Sequence, residues 1–495
     1  MKIQLITALS FLVACQQVEA PVEKADGFVE VGEVNIEGGM LAAEISAYDV
    51  ETQRLFVSNN AKGNRVDIID LSDPDNPEAV GHILLKPWPD EPLTINSVAV
   101  IDKKLAVAVS ATDLQDEGKV FVFRTTDFER EAEITVGAMP DMVAFSPNGK
   151  YILTANEGEP DPTYANDPEG SVSIIDVKNY NVETINFDER EGDLEKLTAS
   201  GFRIYGPEAG FSQDIEPEYL TISQDSRYAW VTLQENNGIA KVDIDKRSVI
   251  DIFPLGFKDY QAEGNAIDVC DNDEINIKNW PIFGMYQPDA IASFSINDTT
   301  YLITANEGDS RYLPSYSESA RVSELTLDSA AFPQSSHIRL CDSLGRLFVT
   351  TTMGDTDGDG DFDELYTYGT RSFSIWNAET GELIADSHNQ IDTDIIANSD
   401  LYDDDRSDDK GIEPEGVVVG KVGETPIAFV ALERANAIIS YDLTTPKSPK
   451  FLQVLETGIG PEGVLFINKA QSPNSRSLLI VSSEVDGKIK LYQPE

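Results

Sequence analysis

The chain has 495 residues, and 37 Lys and Arg against 87 Asp and Glu give it a formal net charge of −50. A chain this anionic repels phosphate backbones and acidic lipid headgroups, which excludes nucleic acid and anionic membrane surfaces as partners. Its 41% apolar content, with 4 Trp, 17 Tyr and 21 Phe, supplies a sizeable core, so the surplus carboxylates point to bound divalent cations, a salty medium or both.

Residues 1–14 read as a signal segment, with Lys2 ahead of an apolar run from Ile3 to Ala14 that is too short to span a bilayer. Leu12-Val13-Ala14-Cys15 resembles the lipobox of bacterial lipoproteins. It predicts a diacylated Cys15, a lipidated tether over residues 15–27 and, with Gln16 next, delivery to the outer membrane. Ordinary secretion with a cut after Ala20 is the alternative, and Pro21 disfavours it. The membrane is then touched through the lipid anchor alone.

From residue 28 to 495 a phrase recurs: an apolar strand, a tight turn, a second strand, a loop, and a third strand ending in Asp. Its best copy runs from Asp141 through the Pro147-Asn148-Gly149 turn to Asn156-Glu157-Gly158 and on to Ser171–Asp176, a strong hairpin signal. Further units begin near Glu44, Ser97, Glu218, Asp289, Arg346, Glu415 and Glu462. Antiparallel units with almost no helical periodicity predict an all-β fold, a single-domain β-propeller of seven or eight four-stranded blades. The count stays open because the Asp289 unit lacks clear third and fourth strands. The last unit stops after its third strand, and the unassigned N-terminal strand Val29–Ile36 is expected to complete that blade and close the ring. Insertions are expected near 309–343 and 392–411, and loops this long are either functional or disordered. Cys270 and Cys341 form either a disulfide or two separate buried thiols.

In a propeller blade, the residue entering the first strand and the residue leaving the second lie on one face. Here those positions are acidic in pairs: Asp141 with Glu157, Glu218 with Glu235, Asp289 with Glu307, Glu415 with Glu433, and Glu462 with Glu484. Each first member follows a proline. Ten carboxylates would converge on one channel mouth, where repulsion raises their pKa values unless Ca²⁺ or Mg²⁺ is held there. Alternatively, each Pro-Asp or Pro-Glu caps its own turn. Arg311, Arg321, Arg371, Arg406, Lys410 and Arg434 fall in or beside the neighbouring loops. They are either donors for an anionic, phosphorylated substrate or structural ion pairs.

Asp355-Thr-Asp357-Gly-Asp359-Gly360-Asp361-Phe-Asp363 places oxygens at positions 1, 3, 5 and 9 around a glycine at 6, with a backbone carbonyl at 7. This is a Ca²⁺ loop without the position-12 Glu of an EF-hand, since Tyr366 stands there. Read as joining a first strand to a second, it would sit on the face opposite the acidic ring and be structural. The three histidines, His82, His337 and His388, have no ligand spacing that fits zinc.

Asn306-Glu-Gly-Asp-Ser-Arg311, Gly354–Asp361 with Glu364-Leu-Tyr366, Arg371–Trp376, Arg406–Lys410 with Glu413-Pro-Glu415-Gly, Gly460-Pro-Glu-Gly463 and Asn276–Ala290 together resemble the bacterial choice-of-anchor I surface proteins. The resemblance covers most of the mature chain and implies surface display. Some relatives carry the label alkaline phosphatase and others are likened to an animal mesenchyme-specific surface glycoprotein, so it implies little about chemistry. The expected function is a lipid-anchored, Ca²⁺-binding propeller whose acidic mouth binds a phosphoester or other small anion. In an enzymatic form Glu307 and Glu415 hold metal, while Arg311, Arg406 or Lys410 steadies developing charge. The rival is a non-catalytic surface module that recognises a protein or glycan.

Overall fold

The computed structural model describes residues 23–85, 94–272 and 274–495. The signal segment, Cys15 and the tether as far as residue 22 lie outside the described residues. Described residues 23–27 dock onto the last sheet: Glu23 accepts from the Ser477 amide and hydroxyl at 2.9 Å each, and Gly27 accepts from the Glu495 amide at 2.7 Å.

The described chain forms seven four-stranded antiparallel sheets. Their first strands are Ser46–Asp49, Thr94–Ile101, Pro140–Phe145, Pro217–Ile222, Ile291–Ile296, Pro414–Val422 and Pro461–Ile467. Each first strand packs against that of the next sheet, and Pro461–Ile467 packs against Ser46–Asp49. The N-terminal strand Phe28–Asn35 pairs antiparallel with Lys488–Pro494 and supplies the fourth strand of the seventh sheet.

Propeller-like stacking explains the sequence pattern. Second strands are covered on both faces, so they read as continuous apolar runs: Leu105 to Val109 are all fully buried. Fourth strands face solvent, and in Glu78–Leu84 only Ile83 is buried. The Pro-Asn-Gly turn closes as expected, with the Gly149 amide donating to the Ser146 carbonyl at 2.8 Å and Gly149 at φ 68°.

The unit expected at Arg346 is not a sheet of its own. Ser372–Asn377 pairs with Thr299–Asn306 as the third strand of the fifth sheet, and everything between Asn306 and Ser372 is an excursion. That excursion meets a second one between the fourth and fifth sheets. Phe257–Asp259 pairs with Phe283–Met285, which pairs in parallel with Tyr366–Thr367, while Ser319–Arg321 pairs with Phe348–Thr350. Together they enclose a separate core around Tyr260, Trp280, Ile282, Val322, Leu347 and Leu365. In an antiparallel sheet, second-to-third and fourth-to-first connections leave on the side where first strands begin, so this side module stands on the face that carries the acidic ring.

Candidate functional site

Four first strands open with Pro and an acid, and in each the register slips directly after the proline: Pro140/Met142, Pro217/Leu220, Pro414/Val417 and Pro461/Val464. Proline tolerates this position because the first residue of a strand can forgo its N–H. The bulge that follows leaves the acidic residue out of the ladder, and all four of these acids, Asp141, Glu218, Glu415 and Glu462, line one cavity. The Pro-acid phrase is thus a device for aiming a carboxylate inward.

The second-strand ends are fixed from the third strand. Asn156 donates to the hydroxyls of Ser171 and Ser173 at 3.1 Å each and accepts from Thr154 at 2.8 Å. Asn306 repeats the arrangement with Ser372 at 3.2 Å, Ser374 at 2.8 Å and Thr304 at 2.8 Å. These buried bonds hold the following Glu157 and Glu307 at the mouth. Gly308, at φ 89°, is required there because a Cβ would lie 2.1 Å from the Gly369 amide nitrogen.

Asp141, Glu218, Asp289, Glu307, Glu415 and Glu462 line a cavity of about 240 Å³, whereas Glu157, Glu235, Glu433 and Glu484 are not in its wall. Two groups of three have carboxylate oxygens within 4.8 Å of one another: Asp141, Glu157 and Glu218, and Asp289, Glu307 and Glu415. Each joins the predicted pair of one sheet to the first acid of the next. Burial and mutual repulsion push Glu157, Glu218, Glu235, Asp289, Glu415 and Glu462 well above the ordinary carboxylate range. Asp141 rises to about 6 and Glu433 to about 7, and burial also raises Glu484. Glu433 gathers with Glu307 and Glu413 in a third group. Oxygen-only groups of this kind suit hard divalent cations.

Sequence reasoning missed Glu44, which lines the same cavity and is lifted by burial, then by Asp141 and Glu484, to about 8. It enters its strand after Ala43 rather than Pro, and its second-strand counterpart is Asn60, which donates to it at 3.3 Å. The signal available was its position at the head of the first repeat.

Among the described residues, Lys410 is the one basic side chain in the cavity wall. Its ammonium lies 2.5 Å from Glu307 Oε1, with Glu413 at 3.8 Å and Asp309 at 3.9 Å. Arg406 and Arg434 are spent on Glu413, at 2.7 and 3.0 Å. Arg311 is buried under the side module, 2.7 Å from both Asp214 and Glu216 and over the Tyr205 ring. Arg371 donates to the carbonyls of Asp268, Ser407 and Asp409, and Arg321 pairs with Asp408 at 2.6 Å.

The Asp355–Asp363 loop lies within the excursion from the fifth sheet, not between a first and second strand, so it belongs to the ring's side of the molecule rather than the opposite face. Asp355, Asp357 and Asp359 gather within 4.8 Å, whereas Asp361 and Asp363 gather with Asp328, a residue the motif does not contain. Asp355 accepts from the Gly358 and Gly360 amides at 2.7 and 3.1 Å, wrapping the turn around its own carboxylate. Cys270 and Cys341 face each other across the side module with sulfurs 3.5 Å apart and unbonded.

Residues 44–446 match the choice-of-anchor I domain. Gigasin-3a of Magallana gigas is 28% identical over 182 residues, covering 30% of this chain and 64% of that protein. The mesenchyme-specific cell surface glycoprotein of Strongylocentrotus purpuratus is 26% identical over 327 residues, 54% of this chain and 41% of that one. The matches thus span less than two thirds of either relative. Among solved structures, Kuenenia stuttgartiensis hydrazine synthase superposes at a TM-score of 0.51 and 12% identity, covering 93% of this chain and 97% of that chain. The WD40 domain of Toxoplasma gondii coronin gives 0.50 at 8% identity, with 95% and 87% covered. At such identities these likenesses speak to the propeller-like fold alone. Among the described residues no helix is long and apolar enough to cross a membrane.

Proposed function

Because this chain belongs to the choice-of-anchor I family, we propose that it is an exported, surface-displayed propeller whose acidic mouth binds divalent cations and, through them, an anionic ligand. The seven sheets form the blades of one ring, closed by the N-terminal strand, and lipidated Cys15 tethers it to the bacterial outer membrane. A relative named as a cell surface glycoprotein supports the location. The observation that carries the function is the pair of three-carboxylate groups, five of whose six acids line one cavity.

Ca²⁺ is the fitting ion for the Asp355–Asp363 loop, where it rigidifies the side module, and Ca²⁺ or Mg²⁺ fits the ring. Arg311, Arg406 and Arg434 are engaged by carboxylates, so an anion reaches the mouth by meeting the cations rather than guanidinium groups. That geometry favours recognition of a phosphoester or another small anion. A surface protein or glycan presenting acidic groups would be held in the same way.

Hydrolysis is the second reading, supported by two carboxylate groups beside one cavity, each with the oxygens to hold a cation. Cations held there would supply an activated water and neutralise phosphoryl oxygens. Asp289, Glu307 and Glu415 would position one of them.

The test is Ca²⁺ titration of the EDTA-stripped protein followed by turnover of p-nitrophenyl phosphate. Binding that weakens in Glu218→Gln and Glu415→Gln is expected, and binding indifferent to both overturns the ring site. Turnover lost in Glu307→Gln and Glu415→Gln makes the protein a phosphoesterase. Absence of turnover with several phosphoesters leaves it a binding module.

A further inference from the structure

The two ring groups have the same construction but different cation content. Each takes the entering and leaving acids of one sheet and the entering acid of the next. At Asp289, Glu307 and Glu415 the Lys410 ammonium already sits 2.5 Å from Glu307. Gln234 donates to the other Glu307 oxygen at 3.1 Å, and Glu415 Oε2 is buried without a hydrogen-bond partner among the described residues. At Asp141, Glu157 and Glu218 no Lys or Arg forms an ion pair among the described residues. There Glu235, 7% exposed and with one oxygen lacking a hydrogen-bond partner among the described residues, adds a further carboxyl group beside Glu157 and Glu218.

Resting on the cation-binding reading above, we propose that the ring has two unequal cation positions. The Asp141 group takes a divalent ion outright, whereas the Asp289 group is filled by Lys410, which an incoming ion must displace. The ammonium has somewhere to go, since Asp309 and Glu413 lie 3.9 and 3.8 Å away and accept it when Glu307 turns to a metal. Lys410 is also on a leash. Its turn is fastened to the side module through Arg371 on the carbonyls of Ser407 and Asp409, and through Asp408 on Arg321 and Arg346 at 2.6 and 3.0 Å. Whatever moves the side module therefore sets the occupancy of the second position, and a ligand that needs both ions is bound only when Lys410 has been withdrawn.

Ca²⁺ calorimetry on the EDTA-stripped full chain tests this with wild type, Lys410→Met, Lys410→Arg and Glu218→Gln. The expected result is that Lys410→Met tightens one class of site by at least about tenfold, while Lys410→Arg, which keeps the cation, shows no such tightening. Glu218→Gln should abolish a different class. An unchanged or weakened set of sites in Lys410→Met, together with a class that Glu218→Gln removes, overturns the inequality and leaves the ring reading standing. The absence of any class sensitive to Glu218→Gln overturns the inequality, and if Glu415→Gln is equally without effect the ring reading falls with it. The Asp355–Asp363 sites, distant in sequence from every substitution, report in each titration that the variant is folded.

Discussion

Gly463 passes against the carbonyl oxygen of Glu44, where a Cβ would stand 2.3 Å from that oxygen. Gly416 lies in the same way against the carbonyl of Glu462, at 2.1 Å. These glycines directly follow ring acids, so the sixth, seventh and first sheets approach closely where their carboxylates must converge. Gly463→Ala should cost about 1–3 kcal/mol, the usual penalty for forcing atoms into a packed seam. It should also weaken Ca²⁺ binding by spreading the acids. Gly81→Ala, on an exposed strand with nothing within 4 Å of the added carbon, should leave the urea midpoint and the titration unchanged.

Arg311 separates a structural role from a ligand-binding one. Its guanidinium neutralises Asp214 and Glu216, whose side chains are 0% and 3% exposed. Arg311→Met would strand two buried carboxylates and should lower stability by about 3–5 kcal/mol. Arg406→Met removes a guanidinium that is 31% exposed from a Glu413 still served by Arg434, and it should cost clearly less. Urea unfolding of both variants checks the order, and equal losses would contradict it.

The sequence was most legible where one residue type has one local use. Pro140, Pro217, Pro414 and Pro461 mark the starts of strands because proline is tolerated there, and the acid that follows each is the ring acid. Legibility failed where partners are far apart in sequence. Nothing local ties Asp328 to Asp361 and Asp363, and nothing announces that the excursion after Asn306 shares a core with residues 257–285. Ser372–Asn377 looked like part of an eighth unit because its alternation is genuine. What was hidden is that its pairing partner, Thr299–Asn306, lies on the other side of the side module. Arginine and lysine near the ring were equally visible, yet only burial and pairing distinguish Lys410 in the cavity from Arg311 beneath the module.

Asp392 gives the side of the fifth sheet a pH signature separate from the ring. It is 1% exposed, neither carboxylate oxygen has a hydrogen-bond partner among the described residues, and burial raises it to about 6 against the pull of Arg371 and then Lys258, with Asp268 opposing them. A carboxyl raised on folding favours the protonated form, so its contribution is fully present below about pH 4 and is lost as pH rises through about 6. The loss amounts to about 3 kcal/mol for a two-unit shift. Asp392→Asn should therefore be more stable than wild type at pH 8 and equal to it near pH 4, as read from urea midpoints across that range.

Cation binding at the ring should itself depend on pH, and the sign follows from the same linkage. Glu44, Glu433 and Asp141 are raised to about 8, 7 and 6, so without metal the folded state loses stability as pH climbs through that window. A divalent ion needs the carboxylates ionised, so it must expel the protons they hold, and its affinity rises over the same range. At a concentration one hundred times the dissociation constant, one ion would add about 2.7 kcal/mol. Melting curves with and without Ca²⁺ should thus differ at pH 5 only by the effect of the loop ion and separate further by pH 8, with protons released on binding at pH 7. The exposed Asp355–Asp363 loop is the contrast: hydrogen bonds from Thr356 hold Asp363 below its ordinary value, so an ion bound only there would stabilise almost equally at both pH values. A Ca²⁺ effect that does not change with pH would therefore place the ion in the loop and leave the ring without one.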